Sequence, residues 1–258
     1  MNEDREPIDL RRQVEETLRS LRSAGVEWLP VGARLTLLPS AVASAAPSAV
    51  ADAPRPQRSV EERRQALELL RERVRTCTRC KELAATRRQT VFADGEIGAE
   101  IAFIGEAPGA DEDAVGKPFV GKAGELLNKI IAACGMKREE IYICNIIKCR
   151  PPGNRTPLPE EAENCREYLE EQLDLVAPKY IVCFGATAAT YLLGVKKPLG
   201  ALRGQFHKYR NSEVVVTYHP AYLLPHRQPA KKKEVWDDMR MLLTKMGRPI
   251  PPVGASAS

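Results

Sequence analysis

No run in the 258-residue sequence approaches the ~20 uninterrupted apolar residues that a bilayer span requires. The one Ala-rich stretch, residues 37–54, is broken by Pro39, Pro47 and several serines, which excludes a multi-span membrane protein. The opening MNEDREPIDLRR lacks the apolar core of a signal peptide. Glycine follows no triplet period, so the chain is not collagen-like, and 43% hydrophobic residues beside 28% charged ones exclude whole-chain disorder. A cytosolic location is therefore expected. The seven cysteines should be reduced thiols or metal ligands rather than disulfides. The length suits one large α/β domain with an appendage, or two small domains.

The net charge of +5 is unevenly placed. Residues 1–59 hold eight basic and eight acidic side chains, residues 60–178 hold 18 and 22, and residues 179–258 hold 13 and 4. The last third, about +9, suits a polyanion such as nucleic acid as well as it suits a plain solvated surface.

Residues 1–59 are expected to form a tail. Ile8, Val14, Leu18 and Leu21 recur at helical spacing, and a Pro/Ala/Ser-rich linker follows that is too poor in large apolar groups to build a core. From Ser59 the composition changes. Ser59 with Glu62 predicts a capping box opening a helix through about Arg75, with Leu67, Leu70 and Val74 on one face. Four continuous apolar runs, at 101–105, 141–145, 180–185 and 214–218, read as strands buried on both faces. Helical patterns at 121–134, 159–176, 186–193 and 231–246 alternate with them, predicting an α/β domain over 60–248 with a mostly parallel sheet. Residues 249–258 are expected to be a disordered end. Chemistry in such sheets sits beyond the carboxyl ends of the strands, here Gly105-Glu106, Asn145, Gly185 and His219.

Cys77 and Cys80 form C-x-x-C after the first helix, Cys149 lies in the loop KCRPPGNRTP, and Cys165 lies on the apolar face of a helix. Cys134, Cys144 and Cys183 fall inside helix or strand patterns, where a thiol behaves as a small hydrophobe. Four thiolates suit zinc or an iron-sulfur cluster, and spacing alone leaves the two evenly weighted. The stretch GEAPGADEDAVGKPFVGKAGELL, residues 105–127, leaves the first strand and opens a helix. It is neither a Walker loop nor G-x-G-x-x-G, and it offers Glu106, Glu112 and an aromatic Phe119 that a nucleotide loop seldom has.

That stretch, NIIKCRPPGNRTP at 145–157 and HPAYLL at 219–224, with the four cysteines, closely resembles the iron-sulfur family 4 uracil-DNA glycosylases over about residues 60–246. The resemblance implies a three-layer αβα sandwich with a four-stranded sheet and a 4Fe-4S cluster on Cys77, Cys80, Cys149 and Cys165. Phe119 then corresponds to the platform on which a flipped uracil stacks, and Asn145 to the reader of its edge. His219 corresponds to the donor to the departing base, an effect of order 3 kcal/mol for such a group. Glu106, Ala107 and Pro108 would wall the pocket. Ala107 stands where family 1 enzymes carry a catalytic Asp, so Glu112 is the candidate for orienting water or stabilising the sugar cation. Tyr222, Leu223 and Leu224 would form the wedge that fills the gap left by the base, with Arg227 on phosphate. The loop after Asn145 lacks the insertion and His by which one related branch traps its product, so turnover is expected. The expected protein is a monomer acting on uracil in single- or double-stranded DNA, with the tail free to bind a protein partner. A catalytically dead DNA-binding module is the competing reading; the joint presence of Phe119, Asn145 and His219 argues against it.

Overall fold

The computed structural model describes residues 58–252. The expected N-terminal helix and linker, residues 1–57, lie outside the described residues, as do 253–258. Helix α1, Val60–Arg75, begins at the Ser59 capping box: the Ser59 hydroxyl accepts from the Glu62 amide, and the Glu62 carboxylate accepts from the Ser59 amide. It buries Leu67, Leu70 and Val74. A short helix α2, Lys81–Thr86, follows.

The sheet consists of β1 Ile101–Gly105, β2 Ile141–Asn145, β3 Tyr180–Phe184, β4 Phe206–Tyr209 and β5 Ser212–Thr217. Its order is β2-β1-β3-β5-β4, with β4 antiparallel to β5 and the other pairs parallel. This corrects the expected four strands to five. The extra strand, FHKY, is a short edge strand of half-exposed residues and so carries no apolar run.

The four parallel strands bury both faces, and alternate side chains enter different cores. Ala102, Ile104, Tyr142, Cys144, Ile181 and Val214 pack with α1, with α5 (Pro159–Val176) and with α6 (Ala186–Leu193). Ile101, Phe103, Ile143, Val182 and Val215 pack with α4 (Lys122–Ala133) and α8 (Lys232–Lys245). Between these, α3 spans Ala110–Val115 and α7 spans Leu199–Leu202. The result is the αβα sandwich, in which β1, β2, β3 and β5 all direct their carboxyl ends to one edge of the sheet. None of the described helices is long and apolar enough to cross a membrane.

Candidate active site

Phe119, Asn145 and His219 come together at that edge. Asn145 ends β2 in register with Gly105 at the end of β1, and is 2% exposed. Gly105 is what leaves room there: a Cβ on it would lie 2.3 Å from Asn145 Oδ1 and 2.6 Å from the tip of the Phe119 ring. The Phe119 ring stacks on His219 with centroids 5.4 Å apart and planes 27° apart, and its other neighbour is Phe184 at the end of β3. Asn145 Oδ1 is buried without a hydrogen-bond partner. An orphaned buried acceptor costs about 1–3 kcal/mol, which a ligand N–H recovers.

The loop that carries Phe119 is held on all sides. Phe119 has φ +52°, a left-handed conformation that costs a non-glycine residue roughly 1–3 kcal/mol. Arg138 donates to the Pro118 carbonyl at 2.7 Å and the Phe119 carbonyl at 3.2 Å, and its Nε is paired to Asp94 at 2.9 Å. Glu112 accepts from the amides of Val120 and Gly121 through one carboxylate oxygen, and from Gly109 through the other. Gly124 completes the seat, since a Cβ on it would come within 1.9 Å of the Phe119 carbonyl oxygen. Both Glu112 oxygens thus accept from backbone amides, and the carboxylate ties the two ends of this loop together.

Glu106 leaves β1 beside the residues that follow Asn145, because the chains leaving β1 and β2 stay paired, Ile146 N to Gly105 O and Ile147 N to Glu106 O, and Ala107 beyond it packs toward the core under α1, α5 and α6. His219 sits after β5, with Pro220 opening a short helical turn. Its Nδ1 accepts from the Ala221 amide at 3.1 Å. Burial, with Arg227 nearby, lowers its pKa from 6.5 to about 4. The ring is thus neutral, and the bond at Nδ1 leaves its proton on Nε2.

The three expected wedge residues divide. Tyr222 is exposed and stacks on Tyr218 at 5.4 Å. Leu224 is half-buried, and Arg227 is exposed. Leu223 is wholly buried in the core with α4 and α8, which removes it from the wedge. Its place in a short helical turn, not visible in the string HPAYLL, sends Pro220 and Leu223, three residues apart, inward.

The cysteines also separate into two sets. Cys134, Cys144 and Cys183 are core residues with thiol pKa values raised by burial. Cys77, Cys80, Cys149 and Cys165 lie near one another and receive donors: Arg87 to Cys149 Sγ at 3.0 Å and Asn164 to Cys80 Sγ at 3.6 Å. Among the described residues no three Cys, His, Asp or Glu side chains converge on one ion-sized point. Cationic and amide donors aimed at sulfur fit thiolates bound to a metal group better than neutral thiols. Burial pushes the Cys165 thiol up to about 12, so an unligated chain would keep it protonated.

Missed in the sequence were Arg138, Asp94 and the buried Asp113, whose roles arise only through tertiary contacts. Gly105 and Gly124 lay in plain view within the motif without any sign of what each avoids.

A mostly parallel sheet between two helical layers, with a stacking ring, a buried amide and a neutral imidazole at its carboxyl edge, marks an α/β protein of the uracil DNA glycosylase superfamily. The model of that superfamily matches residues 92–240, which hold all five strands and the pocket. The chain is 40% identical over 179 residues to the type-4 uracil-DNA glycosylase of Thermotoga maritima, covering 69% of this chain and 93% of the relative. It is 38% identical over 186 residues to that of Archaeoglobus fulgidus, covering 69% and 92%. With the enzyme of Saccharolobus solfataricus it shares 40% over 183 residues, covering 67% and 83%. The chain belongs to the type-4 uracil-DNA glycosylase family.

Proposed function

We propose that this protein excises uracil from DNA by hydrolysis, in single- or double-stranded substrate, and leaves an abasic site. The observation that carries the reading is the orphaned Asn145 Oδ1 beside the Phe119 ring. A flipped uracil stacked on Phe119 would offer its N3–H to Oδ1 and its O4 to the amide nitrogen. Cytosine presents the opposite pattern on that edge and is refused.

The bond from C1′ to N1 then breaks with its electron pair leaving on the base. His219 Nε2–H faces the developing charge on uracil O2, as a neutral donor that needs no proton from solvent. The sugar passes through an oxocarbenium-like state and water adds to C1′, so that overall water is divided between the sugar hydroxyl and the base nitrogen. No carboxylate replaces the missing Asp at Ala107. Backbone groups of Glu106–Pro108 hold the water, and electrostatics rather than a strong base carries the step. Tyr222 and Leu224 fill the gap in the stack, and Arg227 with Lys231–Lys233 meets phosphates.

Cys77, Cys80, Cys149 and Cys165 would hold a 4Fe-4S cluster, which when bound clamps the end of α1, α2, the loop after β2 and α5 to one another. Such an enzyme works as a cytoplasmic monomer, with residues 1–59 recruiting a protein partner. The test is incubation with a uracil-containing oligonucleotide followed by alkali. The uracil strand is cut and a thymine control is not, because the C5 methyl would meet the pocket wall. Equal cutting of both, or none by folded iron-replete protein, overturns the reading.

A further inference from the structure

Asp113 is a buried carboxylate, 1% exposed, that takes no part in the chemistry above. It sits on α3, next to Glu112, and it accepts backbone hydrogen bonds rather than a cation. The Arg88 amide approaches both oxygens at 3.0 and 3.1 Å, and the Gln89 amide lies 3.4 Å from Oδ1. Gln89 returns the contact, its side-chain nitrogen donating to the carbonyls of Asp113 and Ala114 at 3.2 and 2.9 Å. The strap 87–89 is itself fixed at its near end, where Arg87 donates to Cys149 Sγ and to the Cys77 carbonyl at 2.6 Å. At the far side, Val91 N is bonded to the Lys148 carbonyl.

A six-residue helix has little stability of its own, so the setting of α3 is determined by what grips it. One residue of α3 grips the platform: Glu112 holds the amides on the C-terminal side of Phe119. The next grips the strap. A shift of α3 is therefore transmitted through Glu112 to a ring whose backbone is already strained.

Resting on the uracil-excision reading above, we propose that Asp113 is a positioning residue for excision, fixing α3 against the 87–89 strap so that Glu112 holds Phe119 in register with Asn145 and His219. Its effect lies on the geometry of the bound base and not on DNA affinity. A displacement of about 1 Å at a reacting group costs of order 100-fold in rate, so a partial loosening is expected to cost about 10-fold or more.

The experiment is a double-mutant cycle under single-turnover conditions with a uracil oligonucleotide. Asp113→Asn should lower the maximal single-turnover rate by about 10-fold while the enzyme concentration giving half that rate stays within about 2-fold. Iron content should be unchanged, and amide exchange should quicken at residues 116–121 but not in β1 or β3. In a Phe119→Leu background, where the platform is already lost, the same change should cost less than about 2-fold. If Asp113→Asn does not fold, Gln89→Ala on the exposed side of the same joint serves instead, with a smaller loss and the same dependence on Phe119. Equal losses in both backgrounds, an unchanged single-turnover rate, or unaltered exchange at 116–121 overturns the assignment. Absence of excision by the unaltered protein would count against the proposed activity and not against Asp113.

Discussion

At the residue scale the proposed chemistry rests on neutral groups in fixed orientations. Asn145→Asp replaces the amide donor by a carboxylate that repels the charge developing on the base, so uracil excision should fall at least about 100-fold. Single-turnover rates check this, and a rate within 3-fold of the original would remove Asn145 from base reading. His219 adds a pH dependence. Its folded pKa, lowered to about 4 by burial and by Arg227, lies below the 6.5 of an exposed imidazole. The ring stays neutral from pH 5 upward, so the rate of the chemical step should show no break near 6.5. Between about pH 6.5 and 4 the unfolded chain binds the proton that the folded one refuses. The contribution of His219 to stability is thus complete above 6.5 and is lost as pH falls through that window. A step in rate centred near 6.5 would mean that the ring is solvated and ordinary.

At the scale of elements, the loop between α3 and α4 is a strained segment bolted to its surroundings. Arg138→Ala removes the donors to two carbonyls around Phe119, and should lower excision by about 10-fold with far less effect on DNA affinity. Gly124→Ala places a methyl where the Phe119 carbonyl lies, and should cost both activity and several degrees of Tm, which thermal melts and oligonucleotide cleavage would detect together. The four parallel strands and the longer helices were legible in the sequence, since strands buried on both faces are unbroken apolar runs and Ser59 with Glu62 marks a helix start. β4 was not, because an edge strand of three half-buried residues and one exposed lysine has neither run nor alternation to display. Phe119, Asn145 and His219 were legible as members of motifs. Arg138 and Asp113 were not, for a charged residue looks the same in sequence whether it faces solvent or a buried carbonyl. The position of Leu223 failed for a related reason: a run of apolar residues in a turn does not say which of them points inward.

At the scale of the molecule, the matched region spans 92–240 and holds Phe119, Asn145 and His219, while the proposed ligands Cys77 and Cys80 lie before it, next to α1. A chain beginning at Ser59 should therefore keep its iron, its melting temperature and its uracil excision, while losing recruitment to partners. Loss of several degrees of Tm on removing the first 58 residues would assign them to the fold instead. The excess of basic residues in the last third also predicts binding to DNA that weakens steeply with salt, which titrations at two ionic strengths would measure.

The order of the strands has a consequence in time. β5 pairs with β3 and carries His219 to the pocket, yet it is the last strand to leave the ribosome, and the helix that covers its face, α8, comes later still. β1, β2 and β3 can pair while synthesis continues, so Phe119 and Asn145 can take their places before His219 exists. A nascent chain stalled before residue 219 should be a partly formed base-binding surface with no capacity to cut, and excision should appear abruptly once β5 docks. In refolding of the whole chain the most distant pairing is that of β1 with β3, so closure of this central pair should be the slow step, and recovery of activity should lag behind the recovery of helical signal.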